Sequence, residues 1–425
     1  MKVFLDTVGC RLNQAEIEMM ARDFRAAGHE IVAAPAIADL AVVNTCSVTA
    51  KAASDSRSKI RHLVRSHVAE IIPTGCWVTL EPERAAALPG VSRVVPNHRK
   101  DKLVREVLGN TTSSANTCLD VRVPLPGARK RTRAFIKVQD GCYNRCTFCV
   151  TTIARGASRS NPIAGVIADV QAALRGGAKE IVLTGVHLGS WGRDLGLRLR
   201  DLIRAILMHT DAGRVRLSSL EPWDLDVDFF SAWQDPRLCA HFHLPLQSGC
   251  SATLVRMRRN TTPDSYQALI QAARDVVPDA AITTDMIAGF PGETEEDFRT
   301  SLDYVSEMRL AGGHAFPYSP MPGTPAARIG DQVAPAERNR RSRRYVQALE
   351  DASRAFRREQ LGEIRPVLWE SLAPLEDGSW QLSGFTDNYI RVQANSALPR
   401  WNEIDLVELA DELPAGLQGI ITKTG

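Results

Sequence analysis

The sequence predicts an α/β protein with three parts: a parallel-sheet N-terminal region, a central partial (β/α)6 barrel and a small C-terminal β-barrel. Short apolar runs alternate with helical patterns through residues 1–110, and the alternation repeats six times between residues 134 and 325. Alternating strands and helices are typical of parallel sheets covered by helices on both faces. After residue 365 the helical patterns stop, and short strand-like runs between turns predict the small barrel.

Composition and length exclude several classes of protein. The chain has 425 residues, 44% apolar and 24% charged, which is enough for two or three domains with their own cores. No apolar run approaches the roughly 20 residues of a transmembrane helix, and residues 1–6 resemble a strand rather than a signal peptide. We therefore expect a cytoplasmic protein without membrane contact. Its nine cysteines then indicate metal ligation rather than disulfides.

Three cysteines of the N-terminal region follow predicted strands. Strands are predicted at residues 3–5, 40–44, 71–73 and, more weakly, 91–95, with a helix over residues 14–27. Cys10, Cys46 and Cys76 lie a few residues after the first three strands, and parallel sheets bind ligands beyond the carboxyl ends of their strands. One such cysteine alone is typical of a small buried residue. Three at equivalent positions predict ligands of an iron–sulfur cluster with one iron left open.

The central region begins with a second group of cysteines. Cys142, Cys146 and Cys149 have C-x3-C-x2-C spacing after the predicted strand at 134–138, where barrel enzymes carry their chemistry. Three thiolates can hold three irons of a four-iron cluster and leave the fourth open, whereas a structural zinc site needs four protein ligands. A zinc site or a buried cysteine cluster is the alternative, although no Cys or His lies between Cys149 and His187.

The other predicted barrel strands end in polar or glycine residues. They cover residues 181–184, 215–219, 242–246, 281–287 and 314–318. One helix is predicted to begin at Asn161 and Pro162 and to end at Gly176. Glycines at strand ends let the backbone approach a ligand, and polar side chains can bind the amino-acid, ribose and adenine parts of a nucleoside cofactor. The remaining cysteines are interpreted as structural: Cys118, Cys239 and Cys250.

The distribution of charge is more informative than the net charge of +3, which is too small to indicate a nucleic-acid partner. Two basic runs are candidate phosphate contacts or solvated surfaces: residues 129–133, in a polar linker at 111–133, and residues 338–344, on a predicted helix. Residues 365–425 contain nine acidic and four basic residues. That balance does not favour simple electrostatic binding of RNA.

Four segments of the chain carry recognisable motifs, namely residues 7–14, 43–49, 74–76 and 140–156. Together they resemble the methylthiotransferase family of radical S-adenosylmethionine enzymes. Two of the motifs are most similar to those of the branch that acts on threonylcarbamoyladenosine in tRNA. They are Gly-Cys-Arg-Leu-Asn-Gln and Asn-Thr-Cys-Ser-Val-Thr. The isopentenyladenosine branch usually has Gln-Met-Asn after the first cysteine, and the ribosomal-protein branch has Pro-Lys-Asn. Two features depart from the expected branch, namely Thr-Thr-Ile at 151–153 in place of Ile-Pro-Tyr-like wording, and the acidic C-terminal region.

The resemblance implies a methylthiotransferase N-terminal domain over residues 1–110 and a linker over 111–133. It implies a radical S-adenosylmethionine core over 134–350 and a TRAM-like β-barrel domain over 360–425.

Two [4Fe–4S] clusters and S-adenosylmethionine are the implied cofactors. The catalytic cluster would be held by Cys142, Cys146 and Cys149, and it would support reductive cleavage of S-adenosylmethionine to a 5′-deoxyadenosyl radical. The second cluster would be held by Cys10, Cys46 and Cys76, and it would carry the sulfur to be transferred. Strand-end positions make five residues candidate S-adenosylmethionine contacts: Phe148, Thr184, Ser218, Glu221 and Gln247.

The implied substrate is the threonylcarbamoyladenosine at position 37, in the anticodon loop of tRNA, and the implied reductant is an electron donor of flavodoxin or ferredoxin type. Loop bases usually stack on aromatic side chains, for which Tyr143, Trp191 and Tyr318 are candidates, although each is more often expected to be packed within the protein. Phosphate contacts would come from residues 129–133 and 338–344. The sequence gives no indication of the oligomeric state.

Two other functions remain open from the sequence. An enzyme with the same chemistry could act on isopentenyladenosine of tRNA or on an aspartate of a ribosomal protein, and the acidic C-terminal region favours the second. A non-catalytic RNA-binding protein with structural metal sites is the alternative of another class. That protein would bind zinc and would not cleave S-adenosylmethionine.

Overall fold

The computed structural model of the protein describes residues 1–109, 121–123, 125 and 132–424. The elements of the N-terminal part are β1 (Lys2–Thr7), α1 (Arg11–Ala26), β2 (Glu30–Val32), β3 (Leu40–Thr45), α2 (Ala50–Arg65), β4 (Glu70–Gly75), α3 (Cys76–Leu80), α4 (Pro82–Ala86) and α5 (Leu103–Val107). The four strands form a parallel sheet in the order β2-β1-β3-β4. β3 is buried at every position, as expected for a central parallel strand covered on both faces.

Two N-terminal strand predictions need correction. The short edge strand β2 was not predicted, and the segment at 91–95 is not a strand. That segment makes isolated bridges to β4, from Val91 to Ile71 and from Val95 to Thr74. Pro73 lies between these bridges, and because proline has no backbone N–H it interrupts a hydrogen-bond ladder on that edge.

The central part contains six main parallel strands and the helices between them. Its elements are β5 (Arg133–Lys137), β6 (Gln139–Asp140), α6 (Thr151–Arg155), β7 (Arg159–Ser160), α7 (Ile163–Arg175), β8 (Glu180–Thr184), α8 (Leu199–His209), β9 (Val215–Leu217), β10 (His241–His243), α9 (Ser251–Met257), α10 (Pro263–Val276), β11 (Ala281–Ala288), α11 (Glu295–Glu307), β12 (Gly312–Pro317) and α12 (Pro335–Glu359). The strands β5-β8-β9 and β10-β11-β12 form two groups, which a bridge from Ser219 to His243 joins. The predicted partial (β/α)6 barrel is confirmed.

The two faces of the barrel strands differ in character. Ile181, Leu183 and Ile282 point outward into the largest apolar core, beneath the helices. Alternate residues point inward, and many of them are polar, for example Thr184 and Asp285. A full barrel of this kind is usually filled by branched apolar side chains, so the polar lining indicates a ligand-binding interior.

α1 of the N-terminal part lies against the inner face of the barrel. Ala15 of α1 packs with Phe135 of β5 and Val182 of β8 in a small buried cluster. This packing places the carboxyl ends of the N-terminal strands beside those of the barrel strands.

The C-terminal part is a closed five-stranded barrel. Its strands are β13 (Ile364–Pro374), β14 (Trp380–Thr386), β15 (Arg391–Ser396), β16 (Ile404–Leu413) and β17 (Gly416–Lys423), in the order β13-β14-β15-β17-β16. The small barrel is confirmed, but β17 was not predicted because glycines interrupt its pattern. A Cβ atom at Gly419 would lie 2.3 Å from Val407 Cγ1, so close packing in the small barrel requires glycine there. Across the described ranges, no helix is long and apolar enough to cross a bilayer.

A buried ion cluster fastens the C-terminal barrel to the base of the central barrel. Glu180 accepts hydrogen bonds from Arg214 Nε at 3.0 Å and from Arg216 Nε at 2.7 Å. Both arginines also donate to the Thr386 carbonyl, and Arg216 donates to that of Asp387 at 2.8 Å. Burial opposes ionisation of Glu180, but the two arginines outweigh it and hold its pKa far below the usual range. The Glu180 carboxylate therefore orients the two guanidinium groups that bind the turn after β14.

We expect Glu180→Gln to loosen the C-terminal barrel by about 2–3 kcal/mol, because hydrogen bonds to a charged group would be lost at a buried site. Hydrogen exchange measured by mass spectrometry should show faster exchange in β13 and β14. The matched control is Glu376→Gln, since Glu376 is exposed on the turn between those strands. Unchanged exchange in β14 of the Glu180 variant would show that the cluster does not hold the barrel in place.

Candidate active site

The three N-terminal cysteines come together at one edge of the sheet. Cys10 directly precedes α1, Cys46 follows β3, and Cys76 is the first residue of α3. Their strands β1, β3 and β4 are adjacent and parallel, so the chain turns at the same edge each time. Cys46 is buried, and burial raises the pKa of its thiol to about 11, with Cys10 and Cys76 close enough to add repulsion. The convergence predicted from the sequence is present in the fold.

Two glycines allow this close approach. Gly9 and Gly75 have φ angles of +99° and +102°, which favour glycine. A Cβ atom at Gly9 would lie 2.6 Å from the Cys46 sulfur, and one at Gly75 would lie 2.4 Å from the Thr45 carbonyl oxygen. Any larger residue would therefore separate the three cysteine-bearing turns.

Two asparagines connect the cysteine-bearing turns. Asn13 donates from Nδ2 to the carbonyls of Val8 and Thr45, at 2.8 and 3.1 Å. Asn97 donates from Nδ2 to the Cys76 sulfur at 3.5 Å and to the Ala154 carbonyl at 2.8 Å. Because Ala154 lies on α6, five residues after Cys149, Asn97 connects the two cysteine groups directly.

The second group of cysteines lies in the loop after β5. The backbone N–H of Asn144 donates to the Cys142 sulfur at 3.3 Å, and that of Thr151 donates to the Cys149 sulfur at 3.4 Å. Arg259 Nη1 lies 3.9 Å from the Cys146 sulfur. Hydrogen bonds to ligand sulfurs are one of the means by which proteins tune iron–sulfur clusters.

The donor set in both groups fits an iron–sulfur cluster. Burial raises the pKa of Cys146 to about 11 and that of Cys149 above its usual value, so both thiols need a nearby cation in order to ionise. Cluster iron would supply that charge. Among the described residues, no three His, Cys, Asp or Glu side chains are close enough to share a single metal ion. A cluster of four irons spreads its thiolates more widely than one zinc ion does.

We expect Gly141→Ala to prevent assembly of the second cysteine loop. Gly141 has a φ of +70°, and a Cβ atom there would lie 1.9 Å from the Ala157 carbonyl oxygen. The variant should lose about half of the iron bound by a two-cluster protein after anaerobic reconstitution. The control is Gly156→Ala, which has a φ of +75° but an open space at Cβ and so carries only the backbone strain. Equal iron content in the two variants would contradict the steric argument.

The predicted S-adenosylmethionine contacts lie in two regions of the inner face. Thr184 and Ser218 are buried at the ends of neighbouring strands, and Ser218 Oγ has no hydrogen-bond partner among the described residues. Gln247 follows β10 with a φ of +75°, so its backbone is strained at the strand end. An unpaired buried hydroxyl and a strained residue are both typical of a ligand site.

The other two predicted contacts lie around the second cysteine group. Glu221 forms an ion pair of 2.7 Å with Arg259, the residue that also reaches the Cys146 sulfur. Phe148 packs edge-on against Phe290, with the ring centroids 6.5 Å apart. Glu221 can therefore orient Arg259, and Phe148 packs the second cysteine loop against Phe290.

Several residues of this site were not predicted. Arg259 has no motif around it, and its role depends on a contact across the barrel with the loop after β5. His187 and Asp224 are hydrogen-bonded to each other beside that loop. Burial opposes protonation of His187, but the bond to Asp224 outweighs it and raises the pKa to about 9. The segment around His187 carried a strand-end glycine signal, whereas nothing in the sequence distinguishes Arg259 or Asp224.

A second buried ion cluster lies between the two cysteine groups. Glu16 of α1 accepts from Lys100 at 2.7 Å, from Lys137 at 3.0 Å and from Arg155 at 2.9 Å. Arg155 also donates to Asn13 at 2.7 Å, and Asn13 accepts from the Cys10 thiol at 3.8 Å. Burial raises the pKa of Glu16, but the three cations outweigh it and hold that pKa well below its usual range.

The structure excludes two of the three candidate base-stacking residues, which are packed as the alternative expected. Trp191 is fully buried, and its indole N–H donates to the Asn161 carbonyl at 3.0 Å. Tyr318 is buried against Phe290. Both side chains are occupied by the core and cannot stack on a base. Tyr143, in contrast, is 70% exposed in the second cysteine loop.

The structure bears on only part of the two basic runs that are candidates for phosphate contacts. Arg341 is buried in ion pairs with Glu293 and Glu337, and Arg340 pairs with Glu295 and Glu337. Helix α12 therefore presents a largely neutralised surface, whose exposed cations include Arg343. In the other basic run, Arg133 pairs with Glu370 of β13 at 2.5 Å, while residues 129–131 lie outside the described ranges.

The unclustered cysteines behave as structural residues. Cys239 and Cys250 are buried, and Cys250 donates to Asp297 at 3.3 Å. Cys118 lies outside the described residues.

Comparison with known proteins decides the family. Residues 2–96 match the profile of "Uncharacterized protein family UPF0004", and residues 136–305 match that of the radical SAM superfamily. The chain is 32% identical over 403 residues to the threonylcarbamoyladenosine tRNA methylthiotransferase MtaB of Bacillus subtilis, covering 92% of this chain and 89% of that protein. The chain belongs to the radical S-adenosylmethionine methylthiotransferase family.

Other similarities agree with this family. A second MtaB, from Thermotoga maritima, is 35% identical, with 92% of this chain and 90% of that protein covered. A tRNA-2-methylthio-N(6)-dimethylallyladenosine synthase from Parafrankia is also 35% identical, with 89% and 80% covered. The solved structure of the radical S-adenosylmethionine methyltransferase TsrM from Kitasatospora setae has a TM-score of 0.57 at 15% identity, covering 74% and 72% of the two chains. The TsrM likeness concerns the fold alone. Membership of the methylthiotransferase family implies S-adenosylmethionine and [4Fe–4S] clusters as cofactors.

Proposed function

We propose that this protein is a tRNA methylthiotransferase that adds a methylthio group to C2 of N6-threonylcarbamoyladenosine at position 37. One observation carries the proposal: the two three-cysteine groups lie on either side of α6. Asn97 joins Cys76 to α6 through the Ala154 carbonyl, and Asn13 joins Cys10 to Arg155. A sulfur source and a radical source must both reach one substrate atom, so adjacency of the groups is the geometry that methylthio transfer requires. Relatives named for this activity span nearly the whole chain.

Each cysteine group has a distinct role in this proposal. Cys142, Cys146 and Cys149 would hold the catalytic cluster, which when bound supplies the electron that cleaves S-adenosylmethionine into methionine and a 5′-deoxyadenosyl radical. Cys10, Cys46 and Cys76 would hold the cluster that carries the transferable sulfur. The protein supplies position and exclusion of water around this chemistry.

The residues of the inner face would bind S-adenosylmethionine. Ser218, with its unpaired hydroxyl, and Thr184 lie at strand ends where they can bind ribose or amino-acid groups. Arg259 is held by Glu221 and donates toward the Cys146 sulfur, so it would favour the ionised thiolate at that ligand. Gln247 and Phe148 would border the same site.

The macromolecular partners follow from this activity. The substrate would be the anticodon loop of tRNA, with Tyr143 as an exposed aromatic side chain on which a base can stack. The reductant would be a flavodoxin or ferredoxin. Both partners are parts of the proposal.

Nucleoside analysis by mass spectrometry tests the substrate. Reconstituted protein, S-adenosylmethionine and a reductant would be incubated with stem-loop RNAs that contain threonylcarbamoyladenosine or isopentenyladenosine, and in parallel with a ribosomal protein. We expect a methylthio product on the first RNA. A product on the second RNA alone would place the protein with relatives such as the Parafrankia synthase. A product on the ribosomal protein alone would agree with the acidic balance of residues 365–425 and would overturn the proposal.

A further inference from the structure

Arg11 is a half-buried cation whose contacts among the described residues engage little of its hydrogen-bonding capacity. It follows Cys10 directly, in the first turn of α1, and its Nη2 donates to the Tyr389 hydroxyl at 3.3 Å. Its guanidinium carbon lies 5.8 Å from the centre of the Tyr389 ring. Within the described ranges no carboxylate lies within ion-pair distance of Arg11. Because a guanidinium has five N–H donors, most of its capacity is available to a ligand.

A second cation lies near Arg11 on the inner face of the barrel. His314 of β12 and His243 of β10 both contact the carboxylate of Asp285, each at 3.3 Å. His243 is held from its other nitrogen by the Thr283 hydroxyl, at 3.0 Å. The hydrogen bond to Asp285 outweighs burial and raises the pKa of His314, so its charged form is favoured. The His314 side chain is 73% exposed.

Both groups belong to the inner face of the barrel, because Tyr389, which contacts Arg11, stacks on His241 of β10, and His314 of β12 lies in register with Asp285 of β11. Arg11 is close enough to His314 to repel its positive charge, and Asp285 already accepts from two imidazoles. This part of the inner face therefore has more N–H donors than carboxylates to accept from them, since Asp285 is shared by two imidazoles and Arg11 has no carboxylate partner among the described residues. Arg11 directly follows Cys10, so its backbone belongs to the first cysteine-bearing turn.

Arg11 is held in place by the C-terminal barrel. Tyr389 has a φ of +69°, an uncommon conformation for a residue with a large side chain. Its ring stacks between His241 and Phe385, at centroid distances of 4.7 and 4.9 Å. The strained and stacked tyrosine therefore presents its hydroxyl to Arg11 in a fixed direction, and Tyr389 is a positioning residue.

We propose that Arg11 and His314 bind the carboxylate of the threonylcarbamoyl group on the substrate adenosine, and that this contact sets the choice of modified adenosine. The inference rests on the proposed function and deepens it. A planar guanidinium fork matches the geometry of a carboxylate. A neutral hydrocarbon group in the same place would leave a desolvated cation unpaired. Sites built around such polar contacts reject analogues that lack the partner strongly.

The test compares two stem-loop RNAs, one with threonylcarbamoyladenosine and one with its neutral methyl ester. We expect the wild-type protein to favour the free acid by about 10- to 100-fold in kcat/KM and in binding affinity, as charge-assisted hydrogen bonds imply. Arg11→Gln should reduce the acid to the level of the ester, and Arg11→Lys should recover part of the preference. The matched control is Arg61→Gln, because Arg61 is exposed on α2. Iron content and fluorescence-detected RNA binding would be measured for every variant.

The outcomes distinguish failure of the carboxylate-binding inference from failure of the proposed function. If Arg11→Gln loses iron, His314→Gln decides instead, since that side chain lies far from the cysteine-bearing turns in sequence and is largely exposed. The inference is overturned if the wild-type protein modifies the acid but both variants keep the full preference for acid over ester. If the wild-type protein modifies no threonylcarbamoyladenosine at all, the proposed function fails together with the inference.

Discussion

Cys146→Ala should reduce the formation of 5′-deoxyadenosine to background, because two thiolates cannot hold the open-iron cluster that binds S-adenosylmethionine. Cys46→Ala should still form 5′-deoxyadenosine but should transfer no methylthio group, because Cys46 belongs to the other group of thiols, on the N-terminal sheet. Anaerobic incubation with dithionite and S-adenosylmethionine, followed by chromatography of both products, measures the two activities together.

The matched control for both variants is Cys250→Ala. Cys250 is buried and belongs to neither group, so its loss leaves only a small cavity. Full thiolation by Cys46→Ala would show that the N-terminal cysteines hold no sulfur-transfer cluster. Loss of 5′-deoxyadenosine in all three variants would show that the assay reports folding rather than the role of each cysteine.

Glu16→Gln should weaken the contact between α1 and the barrel by about 3–5 kcal/mol, the usual cost of removing one partner from a buried ion pair. Lys100, Lys137 and Arg155 all contact the Glu16 carboxylate, and all are nearly inaccessible to solvent. Without it, Lys137 and Arg155 would keep only Asp140 and the exposed Asp101, and Lys100 would keep no ion pair among the described residues. Hydrogen exchange should accelerate in α1 and β5.

The control for this variant is Glu83→Gln, since Glu83 is exposed on α4.

The lowered pKa of Glu16 also sets how the stability of this contact depends on pH. The ionised Glu16 carboxylate contributes its full stabilisation above the pKa of glutamate in the unfolded chain, about 4.3. That stabilisation is lost as the pH falls toward the lower pKa of Glu16 in the folded protein. Acid should therefore open α1 in the wild-type protein more than in the variant. Wild-type exchange rates in Glu16→Gln would show that the cluster adds nothing to the contact.

The sequence carried the information for the cysteine groups because each follows a strand at a fixed offset. Parallel strands bring such positions to one edge, so Cys10, Cys46 and Cys76 could be grouped before the fold was known. The regular strand–helix alternation predicted the partial barrel for the same reason. Both features follow from short-range sequence patterns, which can be recognised without knowledge of the tertiary contacts.

The residues that were missed depend on contacts between distant segments. In the sequence, Glu16 and Arg155 are ordinary helix residues. Their contacts with Lys100 and Lys137 form only in the fold, and no motif spacing predicts them. Trp191 could be named only as a candidate stacking residue, because the sequence does not distinguish a buried indole from an exposed one. The arginines at 338–344 of α12 suggested a phosphate surface because two of their three acidic partners among the described residues, Glu293 and Glu295, lie more than 40 residues away in the chain.

Iron and acid-labile sulfide in anaerobically reconstituted protein test the central claim most directly. Two four-iron clusters, each on three cysteines, predict about eight irons per chain. About four irons would leave one cluster and remove the basis for sulfur transfer. Bound zinc in place of iron would contradict the account and would favour a structural metal protein.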